Sequence, residues 1–287
     1  MVDYFDNPIE PDKGSIDELE KIEIDLLLQG LYLWCGYDYR EYAYNSIRRR
    51  IWHRIEAEKL STITGLLDKV LHDQGCLNRL IADFSINVTE MFRDPLFFLS
   101  FRENVVPILR TYPSIRIWHA GCSTGEEVYS MAIILHEEGL YDKTKIYATD
   151  INTDVLKIAK SGTFPIANMK KFTNNYMKAG GKQAFSDYYT VTNNGVKFDP
   201  KIMKNVVFAQ HNLVTDRSFN EFHVILCRNV LIYFNKALQR KVHELFYESL
   251  GMFGILGLGD KETIAYTSKA ECYEEVQIGQ KLYKKVK

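Results

Sequence analysis

The sequence predicts an α/β protein: a Rossmann-like, mostly parallel sheet with helices on both faces, a small β-subdomain inserted into it, and an all-α unit in front. Three observations predict this. From Asn104 onward short apolar runs alternate with helical patterns: IRIW before a helix to Leu140, KIYAT before one over Asp154 to Lys160, then VVFAQ, and VILC before a helix from about Lys236 to Leu250. Such alternation marks parallel strands joined by crossover helices. Ahead of that region the apolar residues recur at helical spacing. Between the second and third runs, residues 162–203 break the rhythm, and SDYYTVTNNGVKFD reads as two short strands about an Asn194-Gly195 turn.

Taken in order, residues 1–14 are proline-containing and acidic, and are expected to form a mobile tail. Ser15-x-x-Glu18 has the form of a capping box, followed by Leu19, Ile22, Leu26 and Leu27 at helical spacing up to Gly36. A second helix is expected from about Asp38 to Lys59, with Tyr44, Ile47, Ile51 and Ile55 on one face, and a third over Ser61 to His72. Residues 15–76 therefore read as the helical unit, 77–94 as a linker contributing to the site, and 95–287 as the main domain with its insert at about 162–203. FGILGLG and KLYKKV predict two last strands that pair antiparallel.

Composition narrows the function classes. Among 287 residues, Lys+Arg 36 against Asp+Glu 37 gives a formal charge of -1, so no global basic field draws the chain to nucleic acid or to a lipid surface. The five cysteines are scattered and contain no C-x-x-C pair, which predicts a reduced, cytoplasmic setting with neither a disulfide framework nor a bound metal. No signal-peptide core and no apolar run of about 18 residues is visible, so membrane insertion is not expected.

The densest chemistry lies in IRIWHAGCSTGEEVYSMAIIL, Ile115 to Leu135: a strand, a small-residue turn and a helix with Val128, Met131, Ala132 and Leu135 at helical spacing. Gly121 and Gly125 allow a sharp turn and close backbone approach. That arrangement serves dinucleotides, phosphates and S-adenosylmethionine alike. Glu126 and Glu127 place carboxylates where a phosphate loop needs bare N–H groups; they suit a cationic group such as the amino group of S-adenosylmethionine, or they complement the helix dipole. Asp150 ends the second strand, where an acid can accept both ribose hydroxyls or cap the next helix, a task for which Asn152 or Thr153 is better placed. Asn212-Leu213 follows the third strand. CRNVLIYF brings Arg228, Asn229 and Tyr233 to the same sheet edge, and NVTEMFRD joins the two domains.

NVTEMFR, WHAGCSTGEEVYS, YATDIN, HNLV and CRNVLIYF, in this order and across nearly the whole chain, resemble the CheR family of chemoreceptor glutamate O-methyltransferases. The resemblance implies an all-α domain, a linker and an S-adenosylmethionine-dependent methyltransferase domain with an inserted β-subdomain. It places Asn87, Thr89 and Arg93 over the ligand, Gly121 in the turn beneath it, Glu127 near the methionine amino group and Asp150 on the ribose. Asn212 and Leu213 would border the adenine, Arg228 and Asn229 would complete the pocket, and Arg93 and Tyr233 would lie near the transferred methyl. The product would be S-adenosylhomocysteine. The implied partner is the cytoplasmic signalling domain of a chemoreceptor or a related signalling protein, met by a monomer, with Arg50 and Arg54 sharing a helix face toward acidic receptor helices.

The chain departs from the family at His119, where a small polar residue is usual, and at Gly259-Asp260-Lys261-Glu262, where a G-H-S-E-like turn is usual. A different signalling substrate and a non-catalytic S-adenosylmethionine-binding scaffold are the competing expectations. Nucleic-acid methylation is disfavoured by the neutral charge and by the absence of an N-P-P-Y or D-P-P-Y motif.

Overall fold

A computed structural model describes residues 13–85 and 89–287, with side chains from Asp17 onward. The chain divides into two compact units, one ending at Ile86 and one beginning at Asn87. Most of the expected tail lies outside the described residues; its last two, Lys13 and Gly14, already belong to the first helix.

The first unit holds α1 (Lys13–Cys35), α2 (Tyr44–Ala57), α3 (Ile63–His72) and α4 (Gln74–Phe84). Gly36, at φ 77, stops α1, its N–H donating to Tyr32 O. Thr62 caps α3 by accepting from Gly65 N, and Asp73 caps α4 by accepting from Gly75 N. The stretch read as the start of a linker is thus helix α4, whose Leu77, Leu80 and Phe84 join Leu27, Leu31, Ile51, Ile55 and Leu66 in one core.

Helix α1 carries two apolar stripes. The expected one, Leu19, Ile22 and Leu26, faces solvent, whereas Ile24, Leu27, Leu28 and Leu31 turn inward. Spacing alone does not say which stripe has a neighbour to pack on.

The second unit begins with a helical run, α5 (Pro95–Ser100), a π-helical turn over Phe101–Val105 and α6 (Val106–Arg110). The rest follows as β1 (Ile115–Ala120), α7 (Glu126–Glu137), β2 (Thr144–Asp150), α8 (Thr153–Ser161), β3 (Thr163–Phe164), α9 (Met169–Lys178), β4 (Tyr189–Thr192), β5 (Gly195–Phe198), β6 (Val206–Gln210), β7 (Phe222–Cys227), α10 (Lys236–Ser249), β8 (Leu250–Leu258), β9 (Tyr273–Glu275) and β10 (Leu282–Lys285).

The main sheet has seven strands in the order β6-β2-β1-β7-β8-β10-β9. The first five are parallel, and β10 runs antiparallel to both its neighbours. From β1 the chain adds β2 and β6 on one side, then crosses to β7 on the other, so the topology reverses between β1 and β7. A crevice at the carboxyl ends of those strands is where open α/β sheets take ligands.

The insert is a three-stranded antiparallel sheet, β3-β5-β4, in which Thr192 faces Gly195 across Asn193-Asn194. A Cβ on Gly195, at φ 127, would stand 2.5 Å from Phe164 O, so this strand start requires glycine. Helix α9 is an addition to the expected hairpin; its Phe172 and Tyr176 belong to the core cluster that also holds Ile115 and Ile117 of β1.

Candidate functional site

The turn after β1 is built around glycine. Gly121 N and Cys122 N both donate to Thr149 O, at 2.8 and 2.9 Å, folding the chain over the end of β2. Gly121 sits at φ 79, and a Cβ there would stand 2.6 Å from Val230 Cγ2, so the turns after β1 and β7 touch. Gly125, at φ 96, opens α7 against Ala159 of α8, which a Cβ would approach to 2.9 Å.

Asp150 is drawn into the same turn. Its Oδ2 accepts from Ser123 N at 2.9 Å and its Oδ1 from Asn152 N at 3.0 Å, while Asn152 caps α8. Burial raises the Asp150 carboxyl above its ordinary value against the pull of those amides. A carboxylate offers about four lone-pair sites, so both oxygens keep acceptor capacity toward the crevice.

The two glutamates diverge. Glu126 is buried and accepts from Thr124 Oγ1 at 2.6 Å. Glu127 is half-buried and held from both sides: Oε1 lies 3.0 Å from His119 Nδ1, and Oε2 accepts from Arg228 Nη1 at 3.0 Å. Burial pushes the Glu127 carboxyl up, but His119 and the Arg228 guanidinium outweigh it and hold it below the ordinary carboxylate range. Arg228 also donates from Nη2 to Arg93 O and to Asp94 Oδ2, at 3.0 and 2.8 Å, with its Cζ 4.0 Å from the Phe97 ring centroid. One guanidinium therefore ties the segment before α5, the start of α7 and the end of β7 together. His119 is buried, and its Nε2 has no partner among the described residues.

The remaining edges are set by backbone. His211 N donates to Asp150 O, bringing the end of β6 beside that of β2. Asn212 Oδ1 accepts from Val214 N at 2.9 Å, and Leu213 is buried. After β7, Asn229 takes a left-handed conformation at φ 60, and the amides of Asn229, Val230 and Leu231 converge on the carboxylate of Glu262 at 3.0, 2.9 and 2.7 Å. Tyr233 closes the short helical turn that follows, its N–H donating to Val230 O. Thr89, Arg93 and Tyr233 are half-buried. Asn87 lies outside the described residues.

The donor set suits a ligand with a cationic group and a diol. Arg228 faces both Glu127 and Asp94, which leaves the cluster net negative, and Asp150 presents acceptors one strand away. The description CheR methyltransferase, SAM binding domain matches residues 87–279, and CheR methyltransferase, all-alpha domain matches residues 22–85. The chain belongs to the CheR methyltransferase family. It is 47% identical over 264 residues to Cher3 of Pseudomonas putida, covering 92% of this chain and 97% of that one. It is also 29% identical to a chemotaxis protein methyltransferase of Listeria monocytogenes, over 80% of this chain and 85% of the other. With chemotaxis protein methyltransferase 2 of Pseudomonas aeruginosa it shares 30% identity, over 83% and 85%.

Membership makes the protein an S-adenosylmethionine-dependent methyltransferase of the chemotaxis type. Gly121, Glu127, Asp150, Arg228 and Asn229, scattered over more than a hundred residues of CheR-family sequence, meet around the β1/β7 switch point.

The expectation for Arg50 and Arg54 is overturned. Both are buried within the helical unit, at 6% and 9% exposure. Arg50 Nη1 donates to Phe84 O at 2.8 Å, and Arg54 binds Asp83 and Glu58. The face they share is the inner one, where they tie α4 and the end of α2. The exposed arginines of α2 are Arg48 and Arg49, and Arg48 pairs with Glu20 at 2.9 Å. Glu262 is the residue that reading for site chemistry passed over; the retained glutamate of the altered Gly259-Asp260-Lys261-Glu262 turn was its one trace.

Proposed function

We propose that this protein acts in the cytoplasm as a monomer, transferring the methyl group of S-adenosylmethionine to glutamate side chains on the signalling domain of chemoreceptors and leaving glutamate methyl esters and S-adenosylhomocysteine. The carrying observation is the pair of carboxylates, Glu127 and Asp150, held at adjacent strand ends beside the turn that bears Asn229 and Tyr233. In this reading Glu127 takes the donor's ammonium, Asp150 its ribose hydroxyls, and Asn212 and Leu213 border the adenine. Asn87 and Thr89 cover the donor, and Arg228 holds Glu127 and the Arg93 backbone in register.

Bound S-adenosylmethionine supplies a sulfonium methyl. A substrate glutamate, with an ordinary pKa of about 4.3, is already ionised near neutrality. Its oxygen forms the new bond to carbon as the S–C bond breaks and that electron pair passes to sulfur, so no general base is needed. The protein's work is alignment and partial desolvation of the nucleophile. Arg93 and Tyr233 serve as orienting donors rather than proton acceptors.

Transfer of radiolabelled methyl from S-adenosylmethionine to membranes bearing the host's chemoreceptors, followed by mild base, tests this. Base-labile label on the receptors is expected. Label on another signalling protein would move the substrate assignment there; donor binding without any transfer would leave only a scaffold.

A further inference from the structure

Glu262 is 4% exposed, yet it is a carboxylate. Its Oε2 accepts from Gly259 N at 2.7 Å and Asn229 N at 3.0 Å, and its Oε1 accepts from Val230 N, Leu231 N and Ile232 N at 2.9, 2.7 and 3.4 Å. Burial raises its carboxyl above the ordinary range, against the five amides that favour the ionised form. Amides at the start of a helical turn have no partner within that turn, and gathering them is what an N-terminal acid does in a longer helix. Here the acid comes from a different strand end, so it joins β8 to the segment after β7.

Close packing leaves that segment little freedom. Asn229 is held at a positive φ that a non-glycine residue adopts at a cost. A Cβ on Gly259 would stand 2.8 Å from Asn229 N and 2.9 Å from Asn229 Nδ2. Val230, one residue on, packs over Gly121 in the turn after β1. A shift at Glu262 therefore reaches both sides of the crevice through backbone rather than through a flexible side chain.

We propose that Glu262 is a positioning residue for methyl transfer, acting through the Asn229–Ile232 amides to fix the backbone that carries Asn229 and Tyr233. The inference rests on the function proposed above. Glutamine matches glutamate in size but turns one oxygen into an NH2, which must face either the Gly259 and Asn229 donors or the Val230 and Leu231 donors. Asp is one methylene shorter and cannot span both groups.

The test uses the purified full chain and the variants Glu262→Gln, Glu262→Asp and Val242→Ala, the last opening a cavity in the buried part of α10. S-adenosylhomocysteine affinity is read by calorimetry, amide exchange at Val230, Leu231 and Gly259 by mass spectrometry or NMR, and stability by thermal unfolding. Glu262→Gln and Glu262→Asp are expected to weaken S-adenosylhomocysteine binding at least tenfold and to speed exchange at those amides. Val242→Ala, with a comparable loss of Tm, is expected to bind as wild type does. Wild-type affinity in Glu262→Gln overturns the inference, as does an equal loss of affinity in Val242→Ala, which would make the role merely structural. If the wild-type chain itself fails to bind S-adenosylhomocysteine, the proposed function and this inference fall together.

Discussion

The two units of this protein each gather their backbone around one glutamate, and they do so by opposite means. In the helical unit Glu58, at the end of α2, accepts from Arg79 Nε and Lys69 Nζ at 2.7 Å and from Arg54 Nη1 at 3.2 Å. These cations, Arg79 first, hold its carboxyl down to about 2. In the sheet unit Glu262 accepts from backbone amides, and burial pushes its carboxyl up instead. Long side chains supply charge but little geometry, since each keeps rotamer freedom that a contact must overcome. Amides supply geometry, because moving one moves the chain. The contrast separates a device that staples α2, α3 and α4 from one that sets the shape of a site.

The largest effect should come from forcing the backbone-held region to move. Gly121→Ala places a Cβ 2.6 Å from Val230 Cγ2 at a φ of 79, so either the β1 turn or the Glu262-held segment must shift. Strain of about 3 kcal/mol or more follows from the left-handed conformation and the overlap together, on the order of a hundredfold in affinity. Calorimetry with S-adenosylhomocysteine checks it; affinity within threefold of wild type would show that the two turns are not coupled as their contact indicates.

The same contrast explains how much could be read before the fold was known. The β1 turn was legible because its strand, glycines and carboxylates are contiguous, and Asp150 because a strand end is a local feature. Glu262 was not, since its partners are amides about thirty residues away and an amide leaves no mark on the sequence. Arg50 and Arg54 share a face on any helical wheel, but the wheel does not say that this face looks toward Asp83 and Phe84. The linker reading took Gly75 for a breaker. It sits instead in the first turn of α4, where its N–H is held by Asp73 and the cost of glycine is small. Helix α4 was otherwise present in the spacing of Leu77, Leu80, Ile81 and Phe84.

A smaller, pH-dependent effect should sharpen the other half of the contrast. Because the folded pKa of Glu58 is depressed, the stability it contributes is complete above its unfolded value, about 4.5, and is lost as pH falls toward about 2. Glu58→Gln removes that contribution at every pH. Urea unfolding of the two proteins should therefore show wild type the more stable at pH 6, with the gap closing between pH 4.5 and 2. A gap of the same size at pH 6 and pH 2.5 would mean that the surrounding cations do not favour the ionised form.

The smallest effect separates neighbours on α1. Leu26 is 51% exposed and Leu27 fully buried, although the two are adjacent and chemically identical. Leu27→Ala opens a cavity among Ile51, Leu66 and Leu80 and should cost about 2–5 kcal/mol. Leu26→Gln removes exposed apolar surface from a helix whose inner stripe is intact, and should change stability by no more than about 0.5 kcal/mol. Chemical denaturation of both variants decides which stripe of α1 the helical unit packs on. Equal losses would mean that the outer stripe is also covered. A loss at Leu26 alone would reverse the orientation of the helix and with it the inward placement of Ile24 and Leu31.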